Sequence, residues 1–196
     1  SRFITHVWRV ETEAEARSRI EEMKKKYYDA RHNCWCYLLR EGGVVRYSDD
    51  GEPQGTAGQP MLEVFQREGI TNVVCVVTRY FGGILLGAGG LLRAYSRAAK
   101  DALDAAGVSV VRRWVAEEIP CGYNLFDQIR REVAAFDGVV LETEYGVDVR
   151  LSVLIHEEKQ GEFEARLIDM NAGTVHPQTA GEEFRAVPVR PPKESK

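Results

Sequence analysis

Residues 72–78, Asn-Val-Val-Cys-Val-Val-Thr, are a near-continuous apolar run dominated by β-branched side chains. A run without polar alternation has no face to show to water, so it reads as a strand buried on both sides. The chain must then supply enough apolar surface to enclose it. Of 196 residues 44% are hydrophobic, sufficient for one large domain or two small ones. Charged residues at 29%, with 18 glycines and 7 prolines, exclude a disordered, collagen-like or coiled-coil chain.

Around that strand the punctuation is local. Residues 3–10 are strand-like and stop at Thr12-Glu13-Ala14-Glu15, which has the form of a capping box, so a helix should run to about Tyr27. Two strand-like runs, 32–39 and 44–47, flank Glu41-Gly42-Gly43 and predict a β-hairpin. The stretch Ser48-Asp49-Asp50-Gly51-Glu52-Pro53-Gln54-Gly55 is built of turn formers and predicts a loop. Thr56-Ala57-Gly58-Gln59 offers a second capping box, and with Pro60 in the first turn a helix should run to Gly69. Past the valine strand comes a glycine-dense segment, 82–90, and then a helix over 91–106 closed by Gly107. From Trp114 onward the order strand, helix, strand, strand, helix, strand gives a βαββαβ, ferredoxin-like pattern. The expected organisation is an N-terminal domain over 1–113, a C-terminal domain over 114–190 and a flexible tail over 191–196.

The glycine segment carries the strongest local chemistry. Bare backbone ahead of a helix N-terminus can approach a phosphate, and Gly82, Gly83, Gly87, Gly89 and Gly90 supply it. The segment has neither the Lys-Ser/Thr of a P-loop nor the last glycine of a dinucleotide fingerprint, and a tight connection alone would also use these glycines. On the helix that follows, Arg93, Arg97 and Lys100 fall at i, i+4 and i+7 on one face, while Leu92, Tyr95, Ala99 and Leu103 can turn to the core. With Arg79 and Tyr80 entering the segment, the cluster of cations and aromatics suits RNA phosphates and exposed bases; a solvated helix face is the commoner explanation of such a stripe. Asp49, Asp50 and Glu52 read as turn residues rather than a Ca²⁺ site. His32, Cys34 and Cys36 alternate on one strand face, but a structural zinc wants a fourth ligand and wider spacing. No metal, cofactor or catalytic residue is assigned, and no complete catalytic motif is present.

Charge locates any polyanion contact. The net charge of −4 argues against a non-specific nucleic-acid binder, yet residues 1–112 carry 16 basic and 14 acidic side chains whereas 113–196 carry 10 and 16. Four cysteines are too few for a disulfide scaffold and predict reduced thiols in a cytoplasmic protein. No apolar run reaches the ~20 residues that span a bilayer, and residues 1–10 lack the apolar core of a signal peptide.

Three stretches carry a resemblance: His32-Asn33-Cys34-Trp35; Arg46-Tyr47-Ser48-Asp49-Asp50-Gly51-Glu52-Pro53 through Gly55-Thr56-Ala57-Gly58; and Thr78-Arg79-Tyr80-Phe81-Gly82-Gly83 through Arg97-Ala98. Together, in this order, they resemble the YigZ/IMPACT family, in its bacterial two-domain form, densely to about Ala106 and by domain pattern beyond it. Cys36 stands where the resemblance would lead one to expect a small residue such as alanine. The resemblance implies an α+β protein: an N-terminal α/β sandwich like that of a ribosomal small-subunit protein and of elongation factor G domain IV, then a ferredoxin-like domain. It also implies a part in translational control, since eukaryotic relatives bind the activator of a starvation-responsive initiation-factor kinase. On that footing the leading expectation is a translation-linked regulatory binding protein, not an enzyme. Arg79, Tyr80, Arg93, Arg97 and Lys100 would meet RNA, the ribosome or a translation-control protein, and Asp49, Asp50, Gly51, Glu52, Pro53, Gly55 and Thr56 would shape the rim. The competing expectation is an enzyme that takes a phosphorylated small molecule or nucleotide on the glycine segment. Oligomeric state is left open.

Overall fold

The computed structural model describes residues 1–193 and divides them into two units, residues 1–108 with 190–193, and residues 109–189. The first contains β1 (Arg2–Arg9), α1 (Glu13–Lys26), β2 (His32–Leu38), a 3-10 turn at Glu41–Gly43, β3 (Val45–Ser48), α2 (Gly58–Arg67), β4 (Val73–Tyr80) and α3 (Gly87–Ala106). Its sheet runs β1-β4-β2-β3, with all neighbours antiparallel.

The valine run is β4, an interior strand with cover on both faces. Val73, Cys75 and Val77 pack with Met61, Phe65, Tyr95 and Leu103 of α2 and α3. Val74 and Val76 pack instead with Ala16, Ile20 and Met23 of α1. Alternate residues thus enter two different cores, which is why the strand shows no polar period. Three helices sandwich one sheet.

Helix entry follows the sequence at α1 and departs from it at α2. The Thr12 hydroxyl accepts the Glu15 N–H at 3.2 Å, and the Glu15 carboxylate accepts the Glu11 N–H at 2.7 Å. Thr56, expected to cap α2, instead donates its hydroxyl to the Pro53 carbonyl at 2.6 Å. The cap comes from Asp49: one carboxylate oxygen accepts from the N–H groups of Ala57 (3.1 Å) and Gly58 (2.8 Å), the other from Gly55 (2.8 Å). A charged acceptor beats a hydroxyl for the donors at a helix start, and here it lies across a loop. Gly58 is required by the close approach, since a Cβ there would lie 2.7 Å from the Ser48 carbonyl oxygen.

Helix α3 begins earlier than the expected 91. Gly87, Gly89 and Gly90 lie in its first turn, and Gly87, at φ +68°, turns the chain into it by a conformation that favours glycine. The non-helical part of the glycine segment is therefore only residues 82–86, while Gly87 and Gly89 are exposed within the helix.

The second unit contains most of β5 (Val108–Cys121), α4 (Tyr123–Ala135), β6 (Val139–Tyr145), β7 (Val149–His156), α5 (Gln160–Met170) and β8 (Gln178–Arg190). Its strand order, β6-β7-β5-β8, is that of a split βαβ fold, with Ile119, Leu151 and Val153 packed against Ile129, Phe163 and Leu167 of the helices. The position expected as a domain boundary, 113/114, falls inside β5. Of the expected tail 191–196, residues 194–196 lie outside the described residues, while the Lys193 ammonium donates to Asp104 at 2.6 Å within the first unit. No described helix is long and apolar enough to cross a membrane.

One carboxyl in the second unit stands without donors. Glu117 of β5 is fully buried, and neither of its oxygens has a partner among the N–H and O–H groups of the described residues. Burial, reinforced by the neighbouring Glu164 carboxylate, pushes it up to about 7. A raised carboxyl keeps its proton in the folded chain after the unfolded chain has lost it, so stability falls as pH rises from the ordinary carboxylate range to about 7 and is level above. Urea unfolding at pH 5 and pH 8 should show the wild type losing about 1–3 kcal/mol more than Glu117→Gln over that interval.

Candidate functional site

The turn that follows β3 folds back on β2. The Asn33 N–H donates to the Asp50 carboxylate at 2.7 Å, and His32 Nδ1 is 2.8 Å from the Asp50 carbonyl. The Thr78 hydroxyl of β4 donates to the Asn33 side-chain oxygen at 2.7 Å. Glu52, one residue past Gly51, is thereby carried inside. Its Oε1 accepts from Arg79 Nη1 at 2.6 Å and from the Tyr95 hydroxyl at 2.8 Å, and all three side chains are buried. Cys34 completes the cluster, its thiol donating to the Asp49 carbonyl at 2.9 Å.

This cluster joins β2, the loop, β4 and α3, and its chemistry is that of a structural bond. Burial pushes the Cys34 thiol up to about 12, which leaves it protonated and unreactive at neutral pH. Burial also raises Tyr95, Cys36 and Cys75. All four cysteines are free and buried, and among the described residues no three His, Cys, Asp or Glu side chains are grouped to hold a metal.

The expected basic cluster is not what the structure assembles. Arg79 points inward to Glu52, its guanidinium also lying 5.8 Å from the Phe81 ring centre. Tyr80 donates its hydroxyl to Asp29 at 2.7 Å. Lys100 is held between Glu68 (2.7 Å) and Asp104 (2.8 Å), where Arg190 also reaches Glu68. Its ammonium is raised and the Asp104 carboxyl lowered to about 2 by these contacts. Arg97 is exposed but pairs with Asp101 at 2.8 Å, one turn on. Only Arg93, of the four cations expected to bind, has no ion pair among the described residues; it lies beside the first turn of α3, where a Cβ on Gly89 would meet its Nη1 at 3.7 Å. Helical spacing brings Asp101 and Asp104 beside Arg97 and Lys100, whereas Glu68, Glu52 and Asp29 come from other elements, which spacing cannot reveal.

The motif acids likewise face inward. Asp49, Asp50 and Glu52 form the loop's skeleton, not a rim for a partner, because each satisfies backbone or guanidinium donors that would otherwise be left bare. Tyr95, His32 and Cys34 enter the same cluster. The first was expected only as a core residue, the others as a core histidine and a buried thiol rather than metal ligands. Their signal was their place within the quoted motifs.

What the motifs hold up is apolar. Between the end of β4 and the start of α3 the chain exposes Phe81, Ile84, Leu85 and Leu86, with Leu92 one turn into the helix; Ile84 is 75% and Leu85 85% accessible. Gly82 sits against Ser1 and Gly83 takes φ +86°. The α3 N-terminus beside them has no side-chain cap. Both ends of this ridge are anchored, since Arg79 and Tyr95 flank it in sequence and meet at Glu52.

Comparison with known proteins places these features in context. Residues 1–103 match the Impact N-terminal domain and residues 119–174 a domain of unknown function, DUF1949. IMPACT family member YvyE of Bacillus subtilis is 37% identical over 174 residues, covering 88% of this chain and 80% of the relative. IMPACT family member YigZ of Escherichia coli is 33% identical over 178 residues, covering 89% and 87%. A solved structure described as the crystal structure of a hypothetical protein is 31% identical, covers 90% of this chain and 87% of its own, and superposes with a TM-score of 0.51.

The internal role of Arg79 has a direct consequence. Arg79→Met leaves the Glu52 carboxylate buried without its cation and should lower the unfolding free energy by about 3–5 kcal/mol in urea denaturation. Glu52→Gln in the same chain should restore part of that loss, because the uncompensated charge is then gone.

Proposed function

The chain belongs to the IMPACT family, and from that premise we propose that it is a translation-linked regulatory binding protein whose N-terminal unit docks on RNA, the ribosome or a translation-control protein. Family membership supports the translation-related regulatory role in general, and the contact residues belong to the proposal. The observation that carries it is the exposure of Phe81, Ile84, Leu85, Leu86 and Leu92 on one short, doubly anchored segment. A contiguous exposed aliphatic ridge is costly in water and marks a surface that a partner covers. Arg93 and the uncapped start of α3 add positive potential at its border, so attachment should weaken with salt. Arg97 contributes to that field only in part, with Asp101 beside it.

A second reading, an enzyme that takes a nucleotide or phosphorylated small molecule at the glycine segment, is favoured by one feature, the open α3 N-terminus. Its opponents are the internal pairing of Arg79 and Lys100, which removes the cations that would neutralise a phosphate.

Co-sedimentation with ribosomes at low and at high salt tests the leading reading. The wild type should pellet at low salt and largely dissociate at high salt, and the double variant Ile84→Asp with Leu85→Asp should pellet at least about tenfold less, equivalent to ~1.4 kcal/mol. Equal pelleting of the two would overturn the ridge as the contact, and no pelleting of the wild type under either condition would overturn ribosomal docking. A nucleotide present at 100 times its Kd would add about 2.7 kcal/mol to folding stability, so a thermal shift of that size with any nucleotide would favour the enzyme instead.

A further inference from the structure

Along β5, Ile119 and Cys121 enter the core beneath α4 and α5, and the alternation of a strand puts Glu117 on the same face. Its cross-strand neighbour on β7 is Val153, another residue of that core. An acid thus fills a position surrounded by apolar side chains. It is fully buried, and both of its oxygens are unpartnered among the described residues. Such a group is costly unless something meets it.

What faces Glu117 is oxygen, not a cation. The side chains that bear on it are the Glu164 carboxyl of α5 and the Gln160 amide at the first position of that helix. The same amide lies 2.7 Å from Glu164 Oε1 and 3.3 Å from the Thr179 hydroxyl, near the start of β8. Glu117 forms the inner end of this group and exposed Thr179 the outer, with Gln160 and Glu164 half-buried between them. No lysine or arginine among the described residues pairs with either carboxyl. The cations closest in sequence to Gln160 and Glu164 are engaged elsewhere, Lys159 with Asp137 at 2.6 Å and Arg166 with Glu132 at 3.4 Å.

Two facing carboxyls without a protein cation must be neutralised from outside. A shared proton removes one charge and gives Glu117 one partner, leaving its other oxygen bare. A divalent cation removes both charges and can meet both oxygens. The donor set suits a hard ion, being made of two carboxylates, a hydroxyl and an amide. Half a turn of the Gln160 amide brings its Oε1 to the side where the nitrogen now lies. The set holds two ionisable ligands, in keeping with the lack of any cluster of three His, Cys, Asp or Glu among the described residues.

We propose that Glu117 and Glu164, with Gln160 Oε1 and Thr179 Oγ1 beside them, bind a hard divalent cation that ties β5, α5 and β8 together. The ion stabilises the second unit and takes no part in catalysis. Its site lies within that unit and is independent of the 81–92 ridge and of ribosome docking.

The test is calorimetric titration of the full chain, stripped of metal with a chelator and dialysed, using Ca²⁺, Mg²⁺ and Mn²⁺ in separate runs in mildly alkaline buffer. At least one ion should bind at one per chain and raise the thermal midpoint, and the tightest of the three identifies the preferred cation. Glu117→Gln and Glu164→Gln should each weaken that binding by at least about tenfold, because each removes a charged ligand. Glu162→Gln, an exposed change on the same helix, should leave it unaltered. Circular dichroism checks that the variants are folded, and Glu164→Gln, at the half-buried position, carries the test if Glu117→Gln fails to fold. No stoichiometric binding of any of the three ions would overturn the proposal and leave the pair sharing a proton. Full-strength binding in either folded ligand variant would overturn it as well.

Discussion

Glu52 is an acid inside a protein, and the arrangement around it follows from that fact. A carboxylate removed from water must find donors, and it takes them from Arg79 at the end of β4 and from Tyr95 on α3. Those contacts fix where the loop after β3 lies and at what angle the chain leaves β4. They also set how α3 returns over the sheet. Asp49 does for α2 what Glu52 does for α3, gathering three backbone donors from a loop that has no regular structure of its own. The loop is ordered by its charges.

This economy explains why a surface cluster is absent where helical spacing suggested one. The arginine and acids that look most like ligand groups are consumed in holding the backbone, and Lys100 lies among Glu68, Asp104 and Arg190. What remains outside is aliphatic. A stiff support beneath a short apolar segment lowers the entropy lost when that segment is covered, which suits a docking element. The second unit carries none of the quoted motifs, although it too exposes apolar side chains, Val139, Val140 and Leu141 of β6 among them. Its unusual group, the fully buried Glu117, faces Glu164 and acts on stability.

The fold was legible wherever the signal was local or periodic. The valine strand was visible because both of its faces are buried, the Thr12–Glu15 box because its two halves lie one turn apart, and the βαββαβ order because each element has its own period. The α2 cap was missed because Asp49 acts from eight and nine residues away, beyond the span of a capping box. The start of α3 was missed because glycines are poor helix formers, and only the close approach of Gly90 to Leu86 and the turn at Gly87 explain their use in its first turn. Of the candidate site, the structure gathers Asp49, Asp50, Glu52, Arg79 and Tyr95 around one loop, and the inward direction of these side chains was not legible in their spacing.

By itself the sequence determined the two-part α+β organisation, the family, and the set of residues drawn together around the loop, since these rest on hydrophobic period and on motifs contiguous in the chain. Only the tertiary structure decided which charged groups face water. Whether an arginine is a ligand or a strut depends on a carboxylate brought to it by folding, and the 2.6 Å contact between Arg79 and Glu52 is set by the packing of β4, the loop and α3, not by any spacing along the chain.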